Sequence, residues 1–302
     1  MKTIEEFALK AEEYGCEVRL NEPMCQHTTF KIGGPADLFI TVHNRNEIVK
    51  LYKAAHKMSV PILPLGNGSN LLVSDNGIRG AVITFGGEFT HISLQEDNVI
   101  KCGVGVTLAR LCIFARDNCL SGLEFAWGIP GSAGGAAFMN AGAYNHEMKE
   151  VLISCTHITK DGEIGKLSGE DLNLGYRQSE YMKNGSTILF LKIKLQKGDE
   201  KMIAIQMDDL IKRRKSKQPI EMSSAGSVFK RPVGNFAGAL IESCGLKGKS
   251  VGGAMVSPKH AGFIVNTGGA TCSDVLKLID IIKDTVYQKT NVMLECEVKS
   301  IG

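Results

Sequence analysis

Residues 122–142 read GLEFAWGIPGSAGGAAFMNAG, with six glycines and five alanines in 21 positions. A stretch with so little side chain leaves room for something else. Glycine reaches positive φ and lets the backbone approach a ligand closely, and successive N–H groups in such turns form nests that hold phosphate oxygens. The segment therefore reads as one half of a pyrophosphate cradle. A second small-residue loop, Pro64 to Asn70 (PLGNGSN), follows the apolar run Pro61 to Leu63 and precedes Leu71 to Val73, and reads as the other half. Taken alone, each loop also has a purely steric reading.

The common nucleotide-binding signatures are missing. GNGSNL at 66–71 and GVGVTL at 103–108 place Leu where the dinucleotide fingerprint requires its third glycine. Gly248-Lys249-Ser250 lacks the leading glycine of a Walker loop, because position 243 is Ser. A Rossmann domain and a P-loop are disfavoured.

Around the two loops, hydrophobic periodicity sets out the elements. Ile4, Phe7, Ala8 and Ala11 line one face of a first helix that stops near Gly15. A strand Leu38 to Val42, a helix from about Asn44 with Ile48, Leu51, Tyr52 and Ala55 on one side, and a strand Pro61 to Leu65 form a βαβ-like unit. Its small-residue loop sits at a strand end, where ligands of α/β sheets bind. Between Val82 and Leu195 the pattern is mostly strands, among them Val99 to Val106, Val151 to Thr159 and Thr187 to Leu195. Asp161-Gly162 is a hairpin turn signal, and one helix runs from Leu108 to about Asn118. A helix from about Met202 to Lys215 ends in the basic run KRRKSK before a boundary at Gln218-Pro219. The run is either functional or a solvated helix end whose cations meet the negative dipole terminus. Further on, helices are expected at Phe236 to Ser243 and Asp274 to Thr290, the latter with a core stripe of Val275, Leu278, Ile279, Ile282 and Val286. Leu294 to Ile301 reads as a closing strand with Glu295 and Glu297 on one face and Val298 on the other.

Length and composition bound the class. A chain of 302 residues suggests two or three domains, and with 22% charged residues and a net charge of +3 no global field favours nucleic acid or an acidic membrane surface. The start, MKTIEEFALKAEEYG, is acidic and amphipathic, and no run of about 18 apolar residues occurs, so a cytoplasmic protein without membrane insertion is expected. Nine cysteines without a C-x-x-C pair point to reduced thiols. Seven dispersed histidines, without H-x-H or H-E-x-x-H, give no metal site. Redox chemistry would fall to a bound organic cofactor.

Seven motifs then occur in a telling order: TTFKIGGPAD (28–37), PLGNGSNLLVSD (64–75), GLEFAWGIPGSAGGAAFMNAGAY (122–144), GYRQSEY (175–181), KQPIEMSSAGSVFKRP (217–232), GALIESCGLKG (238–248) and SPKHAGFIVN (257–266). From about Thr28 to Glu297 the chain resembles the UDP-N-acetylenolpyruvoylglucosamine reductases of bacterial peptidoglycan synthesis. Its length, and the lack of the tyrosine-bearing insert of longer members, resemble the type II subfamily. The resemblance implies an α+β fold: an FAD-binding part of the vanillyl-alcohol-oxidase type, with subdomains at 1–80 (joined by the strand 294–302) and 81–200, and a C-terminal α+β substrate-binding domain at 217–293. It implies non-covalent FAD, since the loops offer no His or Cys for attachment, with His27 left open. The implied flavin contacts are Pro64, Leu65, Gly66, Asn67, Gly68, Ser69 and Asn70, together with Gly128, Ile129, Pro130, Gly131, Ser132, Gly134, Gly135, Asn140 and Gly142.

The implied chemistry is reduction of FAD by NADPH, then hydride transfer from flavin N5 to the enolpyruvyl group of UDP-N-acetylglucosamine enolpyruvate, giving UDP-N-acetylmuramate. Arg177 matches the family arginine beside the substrate carboxylate, where a fixed cation stabilises the charge that develops. Ser227 matches the family's general acid, although without the resemblance it reads as a loop or cap serine. Glu297 matches the glutamate that polarises the intermediate, with Glu295 as the rival carboxylate. Lys217 matches a residue near the substrate diphosphate, and Lys259 and His260 resemble a substrate-facing pair. Arg231 stands where family members often carry Asn, so it either grips the diphosphate or points away. Two other readings stay open: another FAD-dependent oxidoreductase on the same scaffold, and a binding module without catalysis.

Overall fold

The computed structural model describes residues 2–302. These fall into two compact units. One takes the chain up to Leu20, Asp37–Asn67 and Gly80–Lys212; the other takes Asn21–Ala36, Gly68–Arg79 and Arg213–Gly302. Both mix helices with sheets, so the fold is α+β. Among the described residues no helix is long and apolar enough to cross a membrane.

A four-stranded sheet, most of whose residues belong to the first unit, runs in the order Glu17–Pro23, Pro35–Val42, Ile78–Phe85, Ile62–Pro64. The strand, helix, strand unit read from the sequence therefore closes around an additional strand. Ile78–Phe85 lies between the other two, parallel to Ile62–Pro64, with Leu63 opposite Val82. Its AVI run is buried on both faces, as a central strand requires. The helix Arg45–Met58 begins where the Asn44 side chain accepts from the Glu47 N–H and ends at Ser59 in the left-handed region, and it buries Ile48, Leu51, Tyr52 and Ala55.

A second, antiparallel sheet orders Ile164–Ser168, Leu152–Ile158, Thr187–Lys194, Val99–Gly103 and Ile92–Leu94. Its first hairpin turns through Gly162 at φ 89°, closed by the Thr159 N–H on the Glu163 carbonyl at 2.9 Å. One apolar cluster takes in Leu38, Ile40 and Leu51, and also Phe89, Ile100, Leu111 and Leu191. Each such fully buried side chain contributes about 1.5–3 kcal/mol. The helix Glu200–Lys217 holds the basic run in its last turns, where cations meet the negative end of the helix dipole.

The second unit is built on an antiparallel sheet in the order Ser223–Ser227, Phe263–Asn266, Ala254–Val256, Ser250–Val251. The helix Cys272–Thr290 starts from a Thr271/Asp274 capping box and buries the expected stripe from Val275 to Val286. The Asp75 carboxylate accepts the Cys272 and Ser273 N–H groups at 2.7 and 3.0 Å. Leu71–Val73 pairs in parallel with Lys299–Ile301, Leu72 opposite Ser300. The closing strand is thus shorter than its alternation suggested. Residues 295–298 instead run beside 228–230, with an isolated antiparallel bridge between Phe229 and Cys296 and the Val228 carbonyl accepting from both the Glu297 and Val298 N–H groups.

One buried histidine gives the first unit a pH response. His157 is buried, with Nδ1 3.2 Å from the Tyr181 hydroxyl, and burial holds its pKa below the ordinary 6.5. Below that value the unfolded chain gains a proton that the folded chain resists, so stability falls as pH drops through the unfolded pKa. The thermal midpoint is expected to decline from pH 7 to pH 5, and His157→Gln to flatten that decline. Equal slopes in the two proteins would contradict this.

Candidate active site

The strand Ile62–Pro64 delivers the first glycine loop. Leu65 is buried and its N–H bonds the Ile83 carbonyl at 2.8 Å, after which the backbone leaves the ladder. Among the described residues, the N–H groups of Gly66, Asn67, Gly68 and Ser69 have no hydrogen-bond acceptor. Four consecutive unspent donors are the equipment of an anion nest. Glycine at 68 is obligatory, because φ is 59° and a Cβ would overlap the His27 carbonyl oxygen. The His27 ring itself is hydrogen-bonded to Glu22 at 2.7 Å.

The segment 122–142 meets this loop within the first unit, where a Cβ on Gly66 would run into the Ser132 hydroxyl. Gly128, at φ 83°, turns the chain after Trp127, and the Gly131 carbonyl accepts the Leu108 N–H at 2.9 Å. Ile129 is half-buried, while Pro64, Pro130 and Gly135 are exposed. Buried Ser132 caps the helix Ala133–Met139 by accepting from the Gly135 N–H at 3.2 Å. The Ala133 and Gly134 N–H groups bond the Val106 and Val104 carbonyls at 2.7 and 3.0 Å. Gly134 is a packing glycine, since a Cβ there would overlap Val104 Cγ2.

Arg177 is tied to the end of the same segment. It sits at φ 53° in a tight turn whose flanking Gly175 and Gln178 exchange both backbone hydrogen bonds at 3.1 Å. Its Nη2 donates to the Gly142 carbonyl at 3.3 Å, and its guanidinium lies 5.0 Å from the Tyr176 ring centroid. Asn140, fully buried, donates from Nδ2 to the Gly175 carbonyl at 2.9 Å and accepts the Lys149 N–H on Oδ1 at 2.8 Å.

In the second unit, the ladder slips between Ser224, opposite Val265, and Ser227, opposite Phe263. Gly226 at φ 76° makes this bulge, which re-aims the Ser227 side chain. The Ser227 hydroxyl donates to the Phe229 carbonyl at 3.0 Å. Next to it, the Glu297 N–H bonds the Val228 carbonyl at 2.8 Å, and the Glu297 carbonyl accepts from Asn70 Nδ2 at 3.2 Å. Glu297 is half-buried, whereas Glu295 is exposed and paired with Lys230, whose hydrogen bond holds the Glu295 carboxyl below its usual pKa.

His260 is half-buried. Its Nδ1 accepts the Gly262 N–H at 3.1 Å, and burial holds its pKa below the ordinary value. Lys217, Lys259 and Arg231 are exposed, Lys259 pairing with Glu221 at 3.3 Å and Arg231 lying over the Phe236 ring at 4.0 Å. Sequence reasoning missed the bulge at Gly226, for which the AGS triplet was the available signal. It also missed the left-handed Arg177, which has no sequence signal.

A family model described as an FAD binding domain matches residues 36–168, and one described as the C-terminal domain of UDP-N-acetylenolpyruvoylglucosamine reductase matches residues 218–301. The FAD-binding family model on this α+β fold defines a flavoprotein. The chain is 47% identical over 304 residues to the UDP-N-acetylenolpyruvoylglucosamine reductase of Clostridium kluyveri, covering 100% of this chain and 99% of that one. It is 48% identical over 292 residues to the Clostridium tetani reductase, covering 96% and 94%. The crystal structure of the Thermus caldophilus reductase, 36% identical, superposes with a TM-score of 0.82 over 95% of this chain and 99% of its own. A Physcomitrella patens BBE-like protein, 12% identical, gives 0.50 over 93% of this chain and 60% of its own, a likeness of fold alone. The chain belongs to the UDP-N-acetylenolpyruvoylglucosamine reductase family.

Proposed function

We propose that the chain catalyses the NADPH-dependent reduction of UDP-N-acetylglucosamine enolpyruvate to UDP-N-acetylmuramate in the cytoplasm, a step of peptidoglycan synthesis on which cell shape and division depend. The observation that carries this reading is the run of unspent N–H donors at Gly66 to Ser69, with Gly66 against Ser132, in a chain of this family. Residues 64–70 and the loop and helix from Gly128 to Gly142 would hold FAD without a covalent bond, and the bound flavin would supply hydride transfer from NADPH to the enolpyruvyl carbon.

The chain's own residues do the rest. Arg177 presents a permanent cation to the substrate carboxylate, where charge accumulates in the transition state. Ser227 gives its hydroxyl proton to the adjacent carbon, leaving its bond to the Phe229 carbonyl. An alcohol is a poor acid, so this step relies on neighbouring polar groups. Glu297 polarises the enol-like species. Lys217, Arg231, Lys259 and His260 hold the nucleotide diphosphate and sugar, Lys259 exchanging its Glu221 partner for a phosphate oxygen. In this reading residues 1–80 and 81–200 serve FAD, 294–302 joins the former, and 217–293 serve the substrate.

Anaerobic stopped-flow absorbance tests the reading: bleaching of the flavin band by NADPH, then recovery only on mixing with the enolpyruvyl sugar nucleotide. Bleaching without recovery would discard the substrate. The two carboxylates separate in the same assay. Glu297→Gln is expected to slow recovery about 10–100-fold, and Glu295→Gln, which breaks an exposed ion pair with Lys230, to stay within about twofold. The reverse order would move the role to Glu295.

A further inference from the structure

We propose that Asn140 and Ser179 are positioning residues for Arg177, coupling the end of the FAD-holding segment to the turn that carries the arginine. The inference rests on the role given to Arg177 above. Arg177 occupies the third position of the turn Gly175 to Gln178 at φ 53°, where glycine or asparagine is usual. A side chain in that region persists only where its surroundings over-determine it.

Three hydrogen bonds do so, and all of them join residues 138–142 to the turn and its flank. Ser179 Oγ donates to the Phe138 carbonyl at 2.6 Å, Asn140 Nδ2 to the Gly175 carbonyl at 2.9 Å, and Arg177 Nη2 to the Gly142 carbonyl at 3.3 Å. Asn140 is itself fixed. It is fully buried, lies at φ 42° as the C-cap of Ala133–Met139, and has its Oδ1 occupied by the Lys149 N–H. Both ends of its amide are thus spent inside the protein, on the turn and on the chain at 149. Ser179 is equally buried. The arrangement holds the guanidinium in register with the last residues of the glycine segment.

The test uses the FAD-loaded protein, with all rates expressed per bound flavin. Asn140→Asp keeps the acceptor for Lys149 and tolerates positive φ, but it loses the donor to Gly175. Ser179→Ala removes the other clamp and leaves Asn140 intact. Displacing a catalytic group by a fraction of an ångström to an ångström costs up to about 100-fold, so flavin reoxidation by the enolpyruvyl substrate is expected to slow about 10–100-fold in Asn140→Asp and about 3–10-fold in Ser179→Ala. Flavin reduction by NADPH in Ser179→Ala should stay within about twofold of the parent. In an Arg177→Ala background neither change should slow reoxidation further, because residues that act through one group are not additive.

Unchanged reoxidation in both variants would overturn the proposal, as would losses that multiply with that of Arg177→Ala. Should Asn140→Asp fail to retain FAD, Ser179→Ala decides alone. A parent protein that is reduced by NADPH but not reoxidised by this substrate would instead overturn the functional reading.

Discussion

Ser227→Ala is expected to leave flavin reduction by NADPH at the parent rate and to slow reoxidation by the enolpyruvyl substrate about 10²–10⁴-fold, the usual contribution of a positioned proton donor. The substitution removes one oxygen and one hydrogen bond, that to the Phe229 carbonyl at 3.0 Å, worth about 1 kcal/mol of stability. Its backbone conformation is set by the bulge at Gly226, which the substitution does not touch. A large kinetic loss with a small change in thermal midpoint therefore reports chemistry rather than folding. Two half-reactions slowed equally would remove Ser227 from the role of acid.

Gly134→Ala should act at the other end of the problem, on cofactor retention. Its Cβ would overlap Val104 Cγ2 and lie 3.0 Å from Val104 Cβ and 3.2 Å from the Val104 carbonyl oxygen. The Gly134 N–H is bonded to that same carbonyl, so the helix Ala133–Met139 cannot rise without losing the bond. Overpacking of this kind costs about 1–3 kcal/mol, and here it falls on the helix start that Ser132 caps. The purified variant is expected to lose most of its FAD on desalting and to melt several degrees lower, with Val104→Ala in the same chain restoring part of both. Gly135→Ala is the control, since only Ser132 Oγ, at 3.5 Å, lies near its added methyl. Full FAD retention by Gly134→Ala would show that the helix start tolerates displacement.

Gly66 and Gly134 show where sequence reading stops. Composition marked the whole of 122–142 as open to a ligand, yet a glycine that frees an N–H and one that lets a helix lie on a strand look alike in a string. At 66–69 the donors are unspent; at Gly134 the donor is spent on Val104. Helices were legible because their signals are local. Asn44 caps what Ile48 and Leu51 then bury, and Thr271 and Asp274 box the start of the stripe from Val275 to Val286. Sheet order was not, because the insertion of Ile78–Phe85 between two strands is decided by pairing at a distance. The closing strand kept its alternation in sequence, but only Lys299–Ile301 pairs with Leu71–Val73, while 295–298 lies beside 228–230. Motif order identified the family, and with it the roles proposed for Arg177 and Ser227. The left-handed turn and the bulge that present them depend on hydrogen bonds that no spacing records.

The parallel pairing of Leu71–Val73 with Lys299–Ile301 bears on how the protein is made. Phe30, Ile32 and Leu72 belong to one apolar cluster with Val228, Leu278 and Val298, so side chains synthesised early acquire their covering only after residues 228–301 have been made. The second unit thus closes late, and the nascent chain carries uncovered apolar surface while the residues between are made, the condition under which chaperones are engaged and truncated products aggregate.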